Sequence, residues 1–583
     1  MRIGKGPWPY LQSMPDLLWF RLVTSFVLGA ILFVLDLLAT WALYSTGHVA
    51  VTGGDFRFIF TSWQGWLLII MALVSLYLYV AFDLNVKVAY AGHVVRGERV
   101  SMWATMGEGL RAIRRFVCPQ GALVVLYIAL IGPIVGTTLS ISLTESLKVP
   151  SFISSVINAN PLYSTVYTLV VLAFALVGFF NIFCVHGVVI DDLGMGESIR
   201  RSSAIMRKHW KDYQLKMLLF WVSYGVLLVL FMLLVQVIPV ALIALLELWD
   251  NPRFCMLLCG LFGIVSFSFV TVFLTPFTLI RMTHLYVGYC QGEPVEIPVR
   301  KRRHHPVMAI LVIATLSLCV GGAFILYEGF DELFPSEVTV RTIAHRGGGS
   351  EGPENTVAGL RTAARLGAWG SEIDIQRTAD GHYVVNHDNT FKRTTGDPRK
   401  PGEMTLDEVR QLRVDGEPVA TYEEMLDAAH EEGVILFVEL KGVSADRQMA
   451  DDAVRIARER SVLDECVFIS LDYELVDYLE STYPEAQTGF LTWVGYGNTA
   501  YLNCDYLAFE EQSATDEAIL AAHNRGKGVF VWTANDYATQ RRLMLTDADA
   551  IITDNVAQAN EVRVELEERD DLTRIIDDLL DRW

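Results

Sequence analysis

Glu372 and Asp374 lie two residues apart in Ser371-Glu372-Ile373-Asp374-Ile375, and Glu439 and Lys441 repeat that spacing in Val438-Glu439-Leu440-Lys441. On an extended strand, residues two apart point to the same face. Ile373 and Ile375 then occupy the other face and demand a buried partner layer, which argues against a solvated acidic strand. Two inward carboxylates repel each other unless a positive charge stands between them. A hard divalent cation with oxygen ligands meets that need, and Glu439 supplies a third carboxylate by the same geometry. No cysteine accompanies the cluster, so Mg²⁺ or Ca²⁺ is expected rather than zinc. Lys441 would share the side of Glu439 and can neutralise a phosphate oxygen.

His345-Arg346-Gly347 directly follows the apolar run Thr342-Ile343-Ala344 and precedes Pro353-Glu354-Asn355-Thr356. A strand, a Gly-rich loop and a helix start in that order make a polar pocket at a strand's C-terminal end. His387 ends a second such run, Val385-Asn386-His387-Asp388. Either histidine alone would more often be structural. Two in one pocket, with a metal and an arginine, are the pieces for acid–base catalysis at a phosphodiester. Arg346 can bind phosphate oxygens bidentately. His382, His430 and His523 read as surface residues on helices or turns.

The elements that must position these groups begin near residue 339. Strand-like runs fall at 342–345, 371–376, 383–387, 434–440, 466–470, 487–491, 505–509 and 528–532, with a closing run at 550–553. Helical stretches such as 355–366, 421–432 and 445–460 separate most of them. This alternation predicts an α/β TIM-type (β/α)8 barrel over 339–560, whose chemistry sits at the C-terminal ends of its strands. His345, Glu372, Asp374, His387, Glu439, Lys441 and Trp532 all fall at such ends. Trp532 reads as a wall against the substrate or as core packing. Residues 561–583 read as an acidic, amphipathic C-terminal helix or tail.

The first 330 residues are of another kind. The chain of 583 residues is 52% hydrophobic, with a formal net charge of −19 and a mean hydropathy of +0.35. The negative charge lies mainly in the second half, which argues against a nucleic-acid-binding surface. A span needs about 20 apolar residues. Seven stretches qualify, near 17–45, 62–84, 119–144, 162–190, 214–247, 255–281 and 307–328, giving an α-helical transmembrane bundle over 1–330. Basic residues concentrate in alternate loops: Arg111, Arg114 and Arg115; then Arg200, Arg201 and Arg207; then Arg300 to Arg303. By the positive-inside rule the N-terminus is cytoplasmic and everything after the last span is extracytoplasmic, in a plasma membrane. Loops 95–116 and 194–213 read as positive-inside loops that could also lie as interfacial helices. Six of the eight cysteines sit in or beside apolar segments, while Cys466 and Cys504 are the pair available for a disulfide.

The whole set of motifs resembles the glycerophosphodiester phosphodiesterase family. The matching residues are His345-Arg346-Gly347, Pro353-Glu354-Asn355-Thr356, Glu372-Ile373-Asp374, His387-Asp388, Arg393-Thr394-Thr395, Glu439-Leu440-Lys441, Trp532-Thr533 and Thr553-Asp554, across about 339–560. The apolar half resembles, more loosely, the membrane domain fused to this enzyme in some bacteria. The resemblance implies hydrolysis of glycerophosphodiesters to glycerol 3-phosphate and an alcohol. It implies metal ligands at Glu372, Asp374 and Glu439, with Glu354 joining them directly or through water. The expected substrate contacts are Arg346, Glu354, Lys441 and Trp532, and His345 and His387 take the acid–base roles. His345 is assigned as the base and His387 as the acid, with the reverse also open. Ala420 to Glu424 and Asn555-Val556 depart from the family's usual blocks in loop shape, and neither departure touches a catalytic group. The expected partners are a glycerophosphodiester or lipid-derived substrate and membrane lipid, with no nucleic acid. A lysophospholipid or polyglycerol-phosphate polymer is an alternative substrate, and a lipid-handling or transport protein with an accessory barrel is the alternative function.

Overall fold

A computed structural model describes residues 8–46, 50–51, 57–98, 101–127, 160–292, 295, 306–493, 496–497 and 499–581. Two compact units divide the chain, one holding 1–38 and 67–329, the other 39–66 and 330–583.

In the second unit, eight parallel strands close into a barrel. They are β1 (Arg341–Ala344), β2 (Gly370–Arg377), β4 (Ile435–Leu440), β5 (Cys466–Ser470), β6 (Gln487–Thr492), β7 (Tyr506–Glu510), β8 (Gly528–Trp532) and β9 (Ala550–Thr553). Closure comes from β9 pairing with β1, with Thr553 opposite Ala344, and β1 pairing with β2. The run at 383–387 is no stave. Its strand β3 (Tyr383–Val385) pairs antiparallel with Ile375–Arg377 of β2 and branches from the ring. The closing run β9 is the eighth stave instead. A run of three buried residues carries no mark of parallel or antiparallel pairing, so the sequence pattern could not separate the two.

Alternation along the strands builds the barrel in two layers. Phe437, Ile343, Val467, Ile469, Phe530 and Ile552 fill the interior, with the Phe437 and Phe530 rings edge to face at 5.0 Å. Ile373, Ile375, Leu436, Val438 and Leu440 turn outward against the helices Tyr422–Glu432 and Arg447–Glu459. This is the buried outer layer that the isoleucines beside the carboxylates demanded. Thr421 caps the first of these helices in a capping box with Glu424, and Asp446 caps the second. The C-terminal helix Asp571–Asp581 is anchored: Arg574 bonds the Phe334 carbonyl and pairs with Asp331 at 3.1 Å. Cys466 and Cys504, the pair available for a disulfide, are both buried free thiols lying in separate clusters.

The first unit is helical. Five helices are long and apolar enough to cross a membrane, within Gln12–Ser45, Trp63–Arg96, Pro161–Ile190, Met195–Leu245 and Pro252–Gln291. These answer to five of the seven expected spans. The third expected span opens with the helix Pro119–Leu126, and most of 119–144 lies outside the described residues. The seventh falls on the helix Pro306–Glu328, whose described apolar part, Ile313–Glu328, is shorter than a span. The basic stretch 194–213 is no separate interfacial helix but continues into its span as one helix of 51 residues. Asp83 and His186 are both buried, Asp83 in an ion pair with Lys87 one turn on.

Candidate active site

Register brings the acids together. Asp374 on β2 stands directly opposite Glu439 on β4, and Glu372 lies two residues back on the same inward face. Oxygens of Glu372, Asp374 and Glu439 all lie within 4.8 Å of one another, and all three side chains are buried. Lys441 Nζ bridges the pair, 2.9 Å from Asp374 and 3.1 Å from Glu439. Asn355 Nδ2 donates to the other Asp374 oxygen at 3.0 Å. Glu372 Oε2 accepts the Arg346 backbone N–H at 2.8 Å, whereas its Oε1 is buried without a partner.

The electrostatics follow from that packing. Burial, then the charges of Asp374 and Glu439, push the Glu372 carboxyl well above its usual range. Burial likewise raises Glu439, to about 7, against the pull of Lys441. Burial would raise Asp374 too, but Lys441, His387 and Asn355 outweigh it and hold Asp374 low. One lysine for three buried carboxylates leaves the cluster short of positive charge. The all-carboxylate donor set and the unpartnered Glu372 oxygen fit a hard divalent cation.

Two histidines face this cluster, each with its own aspartate. His345 follows β1, and its Nδ1 lies 2.7 Å from Asp554 Oδ1. Asp554 follows β9, and barrel closure sets it beside β1. Asn535 locks it, donating Nδ2–H to Oδ2 at 2.6 Å and accepting the Asp554 backbone N–H at 2.8 Å. His387 Nδ1 lies 2.8 Å from Asp388 Oδ1. Its Nε2 lies 2.9 Å from Arg346 Nη2. An arginine can only donate, so Nε2 is the unprotonated nitrogen and Nδ1–H donates to Asp388. Burial lowers the proton affinity of His387 despite Asp374 nearby.

The loop after β1 makes these approaches feasible. Arg346 and Asn355 take left-handed backbone, with φ of +52° and +55°, a conformation rare for non-glycine residues. Gly349 has φ +63°, and a Cβ there would stand 2.3 Å from the Asp554 carbonyl oxygen. Glycine is therefore what lets the loop lie against the segment carrying Asp554. Thr356 ends the loop by capping the helix Val357–Arg365, accepting the Gly359 N–H at 3.0 Å.

The expected site residues gather around the mouth, but one expected to join the metal ligands stands apart from the carboxylate cluster. His345, Arg346, Glu372, His387, Glu439, Lys441 and Trp532 line an open cavity of about 140 Å³. Its remaining wall is mostly apolar, built by Ile469, Leu471, Leu491 and Ile552 with Thr533. Trp532 faces the cavity and is tethered by Nε1–H to the Ala508 carbonyl at 2.8 Å. The exception is Glu354, which joins no carboxylate. It accepts two hydrogen bonds from Arg393, at 2.7 and 2.6 Å, and one from Arg346 at 3.4 Å. The closing block reaches this site through Asp554, which matches the family pattern and bonds His345. Asp554, Asp388 and Asn355 were visible as motif members, but a motif carries no sign of which distant side chain each one meets.

A closed parallel barrel with a carboxylate cluster at its C-terminal mouth, joined in one chain to long apolar helices, defines a barrel hydrolase with a membrane domain. Residues 345–558 match the glycerophosphoryl diester phosphodiesterase family. Residues 11–324, over half the chain, match the membrane domain of glycerophosphoryl diester phosphodiesterase. The chain belongs to the glycerophosphodiester phosphodiesterases that carry this membrane domain. A glycerophosphodiester phosphodiesterase of Caldanaerobacter subterraneus is 26% identical over 226 residues, covering 36% of this chain and 93% of the relative. Glycerophosphodiester phosphodiesterase 1 of Mus musculus is 40% identical over 121 residues, 18% of this chain and 37% of the relative. A solved glycerophosphodiester phosphodiesterase from Thermotoga maritima is 26% identical, covers 38% of this chain and 98% of its own, and superposes with a TM-score of 0.34.

Proposed function

We propose that this protein is a plasma-membrane phosphodiesterase whose barrel faces outward. It uses a divalent cation, Mg²⁺ or Ca²⁺, and two histidines to release glycerol 3-phosphate from glycerophosphodiesters. The observation that carries this reading is the under-neutralised cluster of Glu372, Asp374 and Glu439 between two histidines that each have an aspartate partner.

Glu372, Asp374 and Glu439 would hold the cation. When bound, it supplies positive charge that polarises the phosphoryl group. Arg346 and Lys441 bind and orient phosphate oxygens at the mouth. The resting hydrogen bonds favour the second of the two assignments open from sequence. His387 presents an unprotonated Nε2, held so by Asp388, and takes the proton from the glycerol 2-hydroxyl. That oxygen bonds to phosphorus as the P–O bond to the alcohol breaks. His345, oriented by Asp554, gives its proton to the departing oxygen. Water then opens the cyclic glycerol phosphate with the two roles reversed. Attack from within the substrate uses a proximity already present in it.

The apolar wall supports an uncharged or lipid-borne alcohol over choline. Among the lining residues the only carboxylates are Glu372 and Glu439, both committed to the cation. Outward orientation is supported by the charge alternation of the loops. It is also supported by Ala50–Val51, which lies between the first two apolar helices in sequence and pairs with Tyr496–Gly497 after β6.

The test is glycerol 3-phosphate release by the full-length protein in nanodiscs, from glycerophosphocholine, glycerophosphoglycerol and a lysophospholipid, with Mg²⁺, Ca²⁺ or EDTA. Release should require the cation and fall roughly 10²- to 10⁴-fold in H345A and H387A. A 2-deoxyglycerol diester should not react. Cation-independent release, or normal hydrolysis of the deoxy substrate, would overturn the mechanism.

A further inference from the structure

Five side chains at the mouth close a hydrogen-bonded ring that the proton transfers do not use in full. Arg393 donates from Nη1 and Nη2 to Glu354, at 2.7 and 2.6 Å. It also donates from Nε to Asp388 Oδ2 at 2.8 Å and from Nη2 to Asp388 Oδ1 at 3.2 Å. Asp388 accepts from His387, whose Nε2 accepts from Arg346, and Arg346 donates back to Glu354. Arg393 sits on no barrel strand. It lies in the short helix Lys392–Thr395 and staples the loop after β3 to the loop after β1.

We infer that Arg393 is a positioning residue. It clamps Asp388 so that His387 keeps its proton on Nδ1 and its Nε2 unprotonated, and it holds Glu354 away from the cation cluster. The inference rests on His387 being the proton acceptor. The geometry suits a guanidinium and no other side chain. Its planar fork spans two carboxylates at once, which a lysine ammonium cannot do. Both Asp388 oxygens are thereby engaged, and Arg393 is the main reason the Asp388 carboxyl is drawn down to about 2. It stays an acceptor, so the tautomer of His387 is set. With Glu354 bonded by two arginines, the cation is left to Glu372, Asp374 and Glu439.

Full-length protein in nanodiscs tests this with R393A, R393K and D388N, beside H387A. R393A should lose about a hundredfold in kcat with KM within about threefold, the scale of a misplaced catalytic group. R393K should lose nearly as much. Free guanidinium should restore R393A at least tenfold and leave D388N unchanged. R393A/D388N should be no worse than the poorer single variant, because both act through one histidine. Mn²⁺ affinity, read by electron paramagnetic resonance, should stay within about twofold in R393A, which also shows that the variant is folded. The proposal is overturned if R393A keeps near-normal kcat, if the two losses multiply, or if R393A loses Mn²⁺ binding together with activity. Full activity in H387A would instead sink the reading of His387 on which the inference stands.

Discussion

At the scale of single residues, function turns on groups held away from their ordinary charge. Glu372 and Glu439 are both raised, the second to about 7. A carboxyl raised on folding binds more protons in the folded state than in the unfolded one. The cation-free protein therefore loses stability as pH climbs through that range. The proposed cation would replace those protons. Its affinity should rise between about pH 6 and 8, with proton release on binding, and it should raise the melting temperature more at pH 8 than at pH 6. Titration calorimetry in buffers of different ionisation enthalpy, with melting curves at the two pH values, checks both. Affinity independent of pH would show that the carboxyls were already ionised. Asp554 offers a second check. D554N keeps the shape but removes the charge that orients His345, so kcat should fall roughly 10- to 100-fold, on the scale of a misplaced catalytic group. The melting temperature should change little.

At the scale of elements, the barrel interior and the loop after β1 separate stability from activity. Phe530 is buried against Phe437 in the interior. F530A should cost about 3–5 kcal/mol by cavity formation, read as a lower denaturant midpoint, with the site chemistry intact in the fraction that remains folded. Gly349 is the opposite case. G349A meets both a left-handed backbone and the Asp554 carbonyl. The backbone term alone is about 1–2 kcal/mol, and the clash shifts Asp554 from His345. Activity should fall much further than the melting temperature suggests, and wild-type turnover in G349A would refute this coupling.

At the scale of the whole molecule, the chain joins two units with unlike surfaces, one of long apolar helices and one a charged barrel. Val443, in the loop after β4, is 91% exposed and so marks the barrel's accessible side. In intact cells, V443C should react with a membrane-impermeant maleimide above the level of the parent protein if the barrel faces outward as proposed. Labelling only after the cells are broken open would reverse the orientation.

Much of this was legible in one dimension because strand alternation has a period of two. Glu372 with Asp374, and Glu439 with Lys441, announce a shared inward face, and Ile373 and Ile375 announce the outer one. The apolar runs declare membrane helices by length alone, and the β/α alternation declares a barrel. What the sequence could not determine is which residues meet across the closure. Asp554 reaches His345 only because the last strand pairs with the first, across 209 residues of chain. Glu354 belongs to Arg393 rather than to the carboxylates because two loops cross at the mouth. The run 383–387 is a branch and not a stave because pairing direction has no signature in three buried residues. Local geometry repeats along the chain and can be read there, whereas contacts between distant loops exist only once the ring is closed.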